Sequence, residues 1–513
     1  MLRNWSNALP NQNEYEQEYV VRNPRFSYFR PRDEGFLSSP MIAELFWPGE
    51  NYSGMETIPG DRRWRLIDAN AGALESAVHD VLQYATYDEA VAAGGRNEFI
   101  AKGLGQDDAK SRRNFGLIKA FDEVERYRYA NIAICSMVNL RAYVPRRLVL
   151  RGGTEMETLK CWKALRLHQI EIHEDHRGFF GIPDSLDGPQ TLDSGYQCAY
   201  LSNYPGYKHA AGKKNGRAIP VVVHVTENED DEATWAPNIN PEIAAWLNEN
   251  YDGFNSNVLT TGEVFWDYVL AISCSDIVQN DMIVKSGYEL NIPFPQDYEI
   301  FQRISRLGEF MRIMQTLGSI GEDSDYYQLQ QAVYSVIQVG MCDANNANVE
   351  VHNFRITDMK ADVGLTSRSP AVAPIVNGWN LDSDEFNSLI EFSGLNQQDL
   401  LQILGEPQRV CIDHVSRELW LTGVPRNVLG FTIGNTKVLQ TWLAIHSDLT
   451  DENSLQCTTW TNLENQNNQL TWYTDLCAVI RNITIMMILR PTINQISEEV
   501  VNDIMHWAID EEE

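Results

Sequence analysis

The apolar pattern changes character along the chain, and the changes predict its organisation. Residues 1–23 are rich in Asn, Gln and Glu and carry no apolar period. Residues 24–56 are aromatic and interrupted by Pro24, Pro31, Pro40 and Pro48, a turn-rich pattern. Ala-rich stretches at Ala69–Ala77 and Glu89–Ala93, with Ile118–Glu125, predict helices over 68–125. Short β-branched or alternating runs then predict strands at Asn131–Cys135, Arg147–Leu150, His168–Ile172, Cys198–Leu201 and Ile219–Val225. Glu227–Glu232 is an acidic run that reads as a loop.

Past Pro237 the period becomes helical. Glu242–Asn250, Gly262–Ala271 (with Thr260 or Thr261 as its cap) and Tyr298–Leu317 carry apolar residues at helical spacing, and Pro293 and Pro295 break the pattern between them. Residues 336–376 return to strand-like sequence, and Thr366–Pro374 reads as a linker. Glu385–Ile403 predicts a helix, Arg409–Phe431 strands or a hairpin, Thr436–Ile445 a helix, and Trp472–Leu489 a final long helix. The expectation is an α+β chain in four parts: a polar segment at 1–23, a mixed αβ domain at 24–235, a helical spacer at 236–335 and a mixed αβ domain at 336–513 ending in a long helix. No 20–50-residue repeat is visible.

Charge sharpens this picture. The 513 residues carry 41 Lys+Arg against 71 Asp+Glu, a formal net charge of −30. Residues 1–235 hold 28 cations and 33 acids, and residues 236–513 hold 13 and 38. Within 101–220 the count reverses to 19 against 13, a basic island in an acidic chain. An overall basic nucleic-acid coat is excluded and an anionic membrane surface disfavoured, but one phosphate-contacting face is not. Arg112, Arg113, Arg146, Arg147, Lys213, Lys214 and Arg217 are the candidate phosphate anchors, interleaved with aromatics such as Tyr127, Tyr143 and Trp162. The bland alternative is a solvated face that happens to be basic.

Other chemistry is sparse. Eight scattered cysteines without a C-x-x-C predict buried thiols in a reducing compartment. The stretch after Met1 lacks the apolar core of a signal peptide, and Leu476–Leu489, broken by Arg481 and Asn482, falls short of the roughly 20 residues of a membrane span, so the expected location is the cytoplasm, with no membrane partner. The chain has no G-x-x-x-x-G-K-[ST], G-x-G-x-x-G, G-x-S-x-G or H-E-x-x-H motif, so no cofactor and no catalytic residue is expected. His168, His173 and His176, with Glu174 and Asp175, form the weak metal candidate; a polar loop is the plainer reading. Cys411 beside Asp413 and His414 is a weak thiol–imidazole candidate, because neighbours on a strand face opposite ways. Trp235, Trp246 and Trp266 read as core residues rather than stacking platforms.

Several segments, in order, resemble the C-terminal target-recognition half of single-chain type ISP and type IIG restriction–modification enzymes. Tyr28-Phe-Arg-Pro-Arg-Asp33 with Gly35-Phe36 is similar to the element that opens that half, with Arg32 in place of Phe. Asn131-Ile-Ala-Ile resembles a strand there. Pro237-Asn-Ile-Asn-Pro-Glu242 resembles the N-I-N-P-E helix start, and Gly262–Val269 the helix after it, with Ser273–Asp276 departing from the H-x-P-x-Y-R that follows in the family. Asn291-Ile-Pro-Phe-Pro-Gln-Asp297 is similar to the R-I-P-x-P-x-D turn, and Arg306-Leu-Gly308 follows it as in the family. Phe431-Thr-Ile-Gly-Asn435 with Val438, Leu439, Trp442 and Leu443 resembles a later element, with Asn435 and Thr436 as departures, and Tyr473–Met487 resembles the final helix.

The resemblance implies a target-recognition module that binds double-stranded DNA and serves a methyltransferase or nuclease, here on a separate chain because neither catalytic half is visible. Tyr28, Arg30 and Asp33 would shape the entrance to the reading domain. A decoy, inhibitor or assembly protein derived from such a module is the alternative that net charge −30 favours. A metal-dependent nuclease built on the three histidines is the third.

Overall fold

The structure, a computed structural model, describes residues 39–48, 79–95, 219–225, 234–276, 290–348, 378–411, 419–433 and 473–507 apart from single positions within them, and elsewhere isolated residues and the backbone of short strands. The fold is α+β.

The first half supplies most of the strands. β1 (Tyr19–Val21) pairs antiparallel with β2 (Phe29–Pro31). A short helix, α1 (Ile42–Leu45), follows. β3 (Met55–Glu56), β4 (Ile67–Asp68) and the helix α2 (Tyr87–Ala92) lead to β5 (Ala133–Ile134), β6 (Val138–Arg141) and β7 (Val144–Leu150). β7 is the hub of one sheet, pairing with β4, β5 and β6. β8 (Phe179–Pro183), β9 (Gly195–Tyr196), β10 (Tyr200–Ser202), β11 (Gly216–Pro220), β12 (Val222–Val225) and β13 (Thr234–Pro237) complete this half. A second sheet runs β10-β8-β11-β3, and β12 pairs with β13. Strands therefore occur at Asn131–Cys135, Arg147–Leu150, Cys198–Leu201 and Ile219–Val225 as expected, whereas His168–Ile172 and most of the helix expected over 68–125 lie outside the described residues.

The helices follow where the period becomes helical. α3 (Pro241–Asn250) is capped by Asn240, whose side chain accepts from Glu242 N, with Pro241 pre-set for the first turn. α4 (Thr260–Ser273) begins one residue after Leu259, not at a threonine cap: Thr260 is already helical, and the Thr261 hydroxyl donates to Asn255 O at 2.7 Å instead. α5 (Tyr298–Gln315) is capped by Asp297. It crosses α4 so closely that a Cβ at Gly308 would overlap the Asp267 carbonyl. α6 (Tyr327–Val336) leads into a last sheet.

That sheet runs β14 (Gly340–Cys342), β17 (Trp420–Pro425), β16 (Pro407–Cys411), β15 (Val372–Pro374), all antiparallel. The end of the expected linker is thus the edge strand β15, where Pro374 is tolerated because an edge needs fewer donors. The helix expected over Glu385–Ile403 is two, α7 (Asp384–Ser393) and α8 (Gln397–Leu404), because Gly394 turns left-handed at φ 68° and ends the first. Of the helix expected over Thr436–Ile445, the described residues Val438, Leu439, Trp442 and Leu443 are helical, but Thr436–Lys437 is not. It forms β19, paired with β18 (Thr432–Ile433), and β18 in turn runs parallel to β9.

The final helix, α9 (Gln466–Asn502), is 37 residues long and passes through Pro491. Its stretch Tyr473–Asn502 is long and apolar enough to cross a membrane by length and composition, which corrects the expectation of a shorter run. Two thirds of that apolar window is buried against the rest of the chain. Arg481 and Asn482, which interrupt the run in sequence, are keyed into the interior: Arg481 donates to Ile337 O at 3.0 Å and lies over the Tyr334 ring, while Asn482 donates to Met314 O and accepts from the Tyr334 hydroxyl.

One hydrophobic cluster reaches from Ile42 through Phe180, Trp266 and Phe301 to Ile483 and Met505. Its aromatic centre stacks Tyr268 on Phe301, with ring centroids 4.5 Å apart, and on Phe294 at 5.1 Å. Cys274, Cys342, Cys411 and Cys477 are buried thiols, as the sequence predicts. Trp266 is fully buried, and Trp235 and Trp246 pack half-buried on the cluster.

Candidate nucleic-acid interface

Phosphate contact needs cations on elements rigid enough to hold them in register. Two of the candidate anchors, Arg146 and Arg147, occupy successive positions of β7, the central strand of its sheet, opposite Val138 of β6 and Asp68 of β4. Arg217 lies in the other sheet, on β11, opposite Ile182 of β8 and Glu56 of β3. The two sheets adjoin where β6 meets β10. Arg112, Arg113, Lys213 and Lys214 lie outside the described residues, as do His168, His173, His176 and His414. No group of three metal-binding side chains occurs among the described residues.

The sheets rest on the helical part through closely fitted residues. Phe180 of β8 packs its ring 5.0 Å from Trp266 of α4. Gly262, in the first turn of α4, leaves no room for a Cβ against Val221 O and Pro237. Asn238 is fully buried and joins three segments: its side chain donates to Pro220 O at 2.7 Å and accepts from Trp47 N at 2.9 Å, its N–H donates to Val221 O, and its carbonyl accepts from Trp266 Nε1 at 3.1 Å. Asn240 adds a second stitch, its side-chain amide donating to Glu44 O at 3.0 Å. The segment Asn291–Asp297 is clasped on both sides. Its first residues bridge Pro40–Ile42, and Phe294–Gln296 bond to Asp503–Met505. Its carbonyls at Pro293 and Pro295 accept the hydroxyls of Tyr268 and Tyr251. Burial raises both tyrosines well above the ordinary phenol range, which keeps them as neutral donors.

Beneath this lies a buried ion pair that the sequence patterns above do not single out. Asp267, 3% exposed, receives Arg312 in a two-pronged contact at 2.8 and 2.9 Å. Burial pushes Asp267 up to about 6, and the Arg312 guanidinium pulls against that shift. Burial would lower Arg312 as well, but the Asp267 carboxylate outweighs it and raises the guanidinium further. The available signal was a lone carboxylate inside the apolar run Val264-Phe-Trp-Asp-Tyr-Val269, which cannot be buried alone.

The same logic governs the remaining cations after residue 236. Arg303 bonds Glu499 at 3.0 Å, Arg306 reaches Asp325 at 3.8 Å, and Arg490 donates to Asp276, which Asn494 also holds. Arg409 donates to Asp343 O at 2.6 Å and lies over Trp420, and Arg481 is held as described above. Arg426 and Lys437 stand exposed. Acids in this part are exposed in numbers, among them Glu249, Asp252, Glu322, Asp323, Asp325, Asp384, Glu385, Glu391 and Asp399. Described cations after residue 236 thus mostly serve internal contacts, and the surplus of positive charge stays with residues 101–220.

No protein-family model matches the chain, and no curated protein matches it. Solved structures similar to it include the ATP-dependent Type ISP restriction-modification enzyme LlaBIII bound to DNA, with a TM-score of 0.44 and 8% identity over 95% of this chain and 26% of that one. A nuclease-deletion mutant of the Type ISP restriction-modification enzyme LlaGI in complex with a DNA substrate mimic gives 0.41 and 10%, over 94% and 30%. A DrdV–DNA complex gives 0.41 and 10%, over 93% and 40%. The chain therefore spans well under half the length of these proteins, and at this level of similarity they carry no argument about its activity.

Proposed function

We propose that this chain is a DNA target-recognition subunit of a restriction–modification or phage-defence system, acting with a separate methyltransferase or nuclease. Residues 24–235 read the duplex, 236–335 form the spacer, and 336–513 form a mixed domain that closes on it through α9. The observation that carries this reading is the partition of charge: cations outnumber acids 19 to 13 across 101–220, while those described after residue 236 are largely consumed in internal contacts. Phosphate contacts supply most of the non-specific affinity for a duplex, so an acidic chain that binds DNA needs such an island. The ordered motifs add support. Several of the residues that resemble the family, among them Asn238, Asn240 and Gly308, make close contacts within the described core.

Fluorescence anisotropy with a random duplex pool at about 50 and about 200 mM salt tests the reading. The expected result is affinity that falls steeply with salt. Reversing charge at Arg146 and Arg147 should weaken binding and reduce the salt slope by about 1 per lost phosphate contact. No binding at the lower salt overturns the proposal and favours the second reading, a decoy or assembly protein, which net charge −30 supports.

A further inference from the structure

The turn after α5 builds a cleft that the DNA reading does not use. It encloses about 420 Å³ between α5 and the loop before α6. Phe310 and Tyr326 stack at 4.7 Å with their planes 4° apart, and Ile313 and Ile320 complete an apolar wall. Glu309, Asp323 and Asp325 line it, with Arg306 as the cation of the lining, and Arg312 reaches Glu309 from beside it at 3.9 Å. The loop is fixed by its own bonds: Ser324 N donates to Gly321 O at 3.1 Å, and Tyr326 N donates to Ser324 Oγ at 3.3 Å.

We propose that this cleft docks a basic segment of a partner protein, with an arginine as its anchor. Three carboxylates against one guanidinium exclude a phosphate ligand and favour a cation. The described residues contain no cluster of metal-binding type here or elsewhere, so a compact metal ion is a poor fit. Arginine suits the shape: its stem lies along Ile313 and Ile320, its plane stacks on an aromatic ring, and its fork reaches carboxylates. The chain's own cations offer weak competition. Arg306 meets Asp325 at 3.8 Å with both side chains more than half exposed, and Arg312 reaches Glu309 at 3.9 Å while committed to Asp267. The net charge of −25 over residues 236–513, the part of the chain that builds the cleft, favours a basic partner.

The probe is a fluorescent peptide alternating arginine and leucine, titrated against the full chain and compared with its citrulline counterpart. The Glu309→Gln/Asp323→Asn/Asp325→Asn variant should lose about tenfold or more in affinity for the arginine peptide. The exposed control set Glu249→Gln/Glu391→Gln/Glu498→Gln, which removes the same charge elsewhere, should change it less than about twofold. Equal losses in the two variants mean diffuse attraction and overturn the proposal. So does failure of the wild-type chain to prefer arginine over citrulline. Because no DNA is involved, either outcome leaves the DNA-binding test separate.

Discussion

Gly308 has one property that matters, the absence of a Cβ where α5 crosses the Asp267 carbonyl. Gly308→Ala forces the helices apart and should cost about 1–3 kcal/mol, seen as a lower urea midpoint at unchanged slope. At the same crossing, Asp267 and Arg312 are each tolerable only because of the other. Asp267→Asn leaves a largely buried guanidinium without its counter-charge and should destabilise by about 3–5 kcal/mol. The pH dependence has a definite sign. Burial raises Asp267 from 3.8 to about 6 in the folded state, so the fold binds this proton more tightly than the unfolded chain does. Its contribution is fully present below the unfolded value and is lost as pH rises to about 6. The stability advantage of wild type over Asp267→Asn, measured by urea melts across that window, should therefore widen toward acid pH; a constant difference would refute the assignment.

At the scale of elements, caps and stitches decide where helices begin and what they hold. Asn240 caps α3 and ties it to the end of α1 through Glu44 O. Asn240→Ala should cost about 1–2 kcal/mol, and Asn240→Asp, which keeps the capping acceptor but loses the amide donor, should cost less. Asp276 is the corresponding anchor for α9. It holds Arg490 at 3.0 Å and Asn494 at 2.6 Å on either side of Pro491, where the helix lacks one backbone donor. Asp276→Ala should leave α9 helical but speed amide hydrogen exchange in the turns around Pro491. In this chain part of the stretch Ser273–Asp276 serves packing.

For the whole molecule, charge is the controlling quantity. A chain of net −30 with most surplus acid in residues 236–513 repels itself, and few exposed pairs offset this. Raising salt from about 0.01 to about 0.5 M should therefore increase the melting temperature. A falling melting temperature would mean that attractive pairs such as Arg303–Glu499 outweigh the repulsion. On the proposed function the same salt weakens DNA binding, so stability and affinity are expected to move in opposite directions.

Periodicity and capping chemistry are local, and they were readable in the chain: α3 with Pro241 at its start, α5 after Asp297, the hairpin of β16 and β17, and the exchange of a strand-rich half for a helical one. The charge partition is a count and needed no structure. Long-range pairing was not readable, because nothing in a local pattern records a distant partner. Thr432–Ile433 runs parallel to the distant Gly195–Tyr196, and Thr436–Lys437, which looks helical by itself, becomes the next strand beside it. Arg481 and Asn482 look like the end of an apolar run until Ile337, Tyr334 and Met314 satisfy them. Asn238 looks like an ordinary polar residue until Trp47, Pro220, Val221 and Trp266 converge on it from segments up to 191 positions away. Buried polar groups must be paired, and only the folded chain brings their partners within reach.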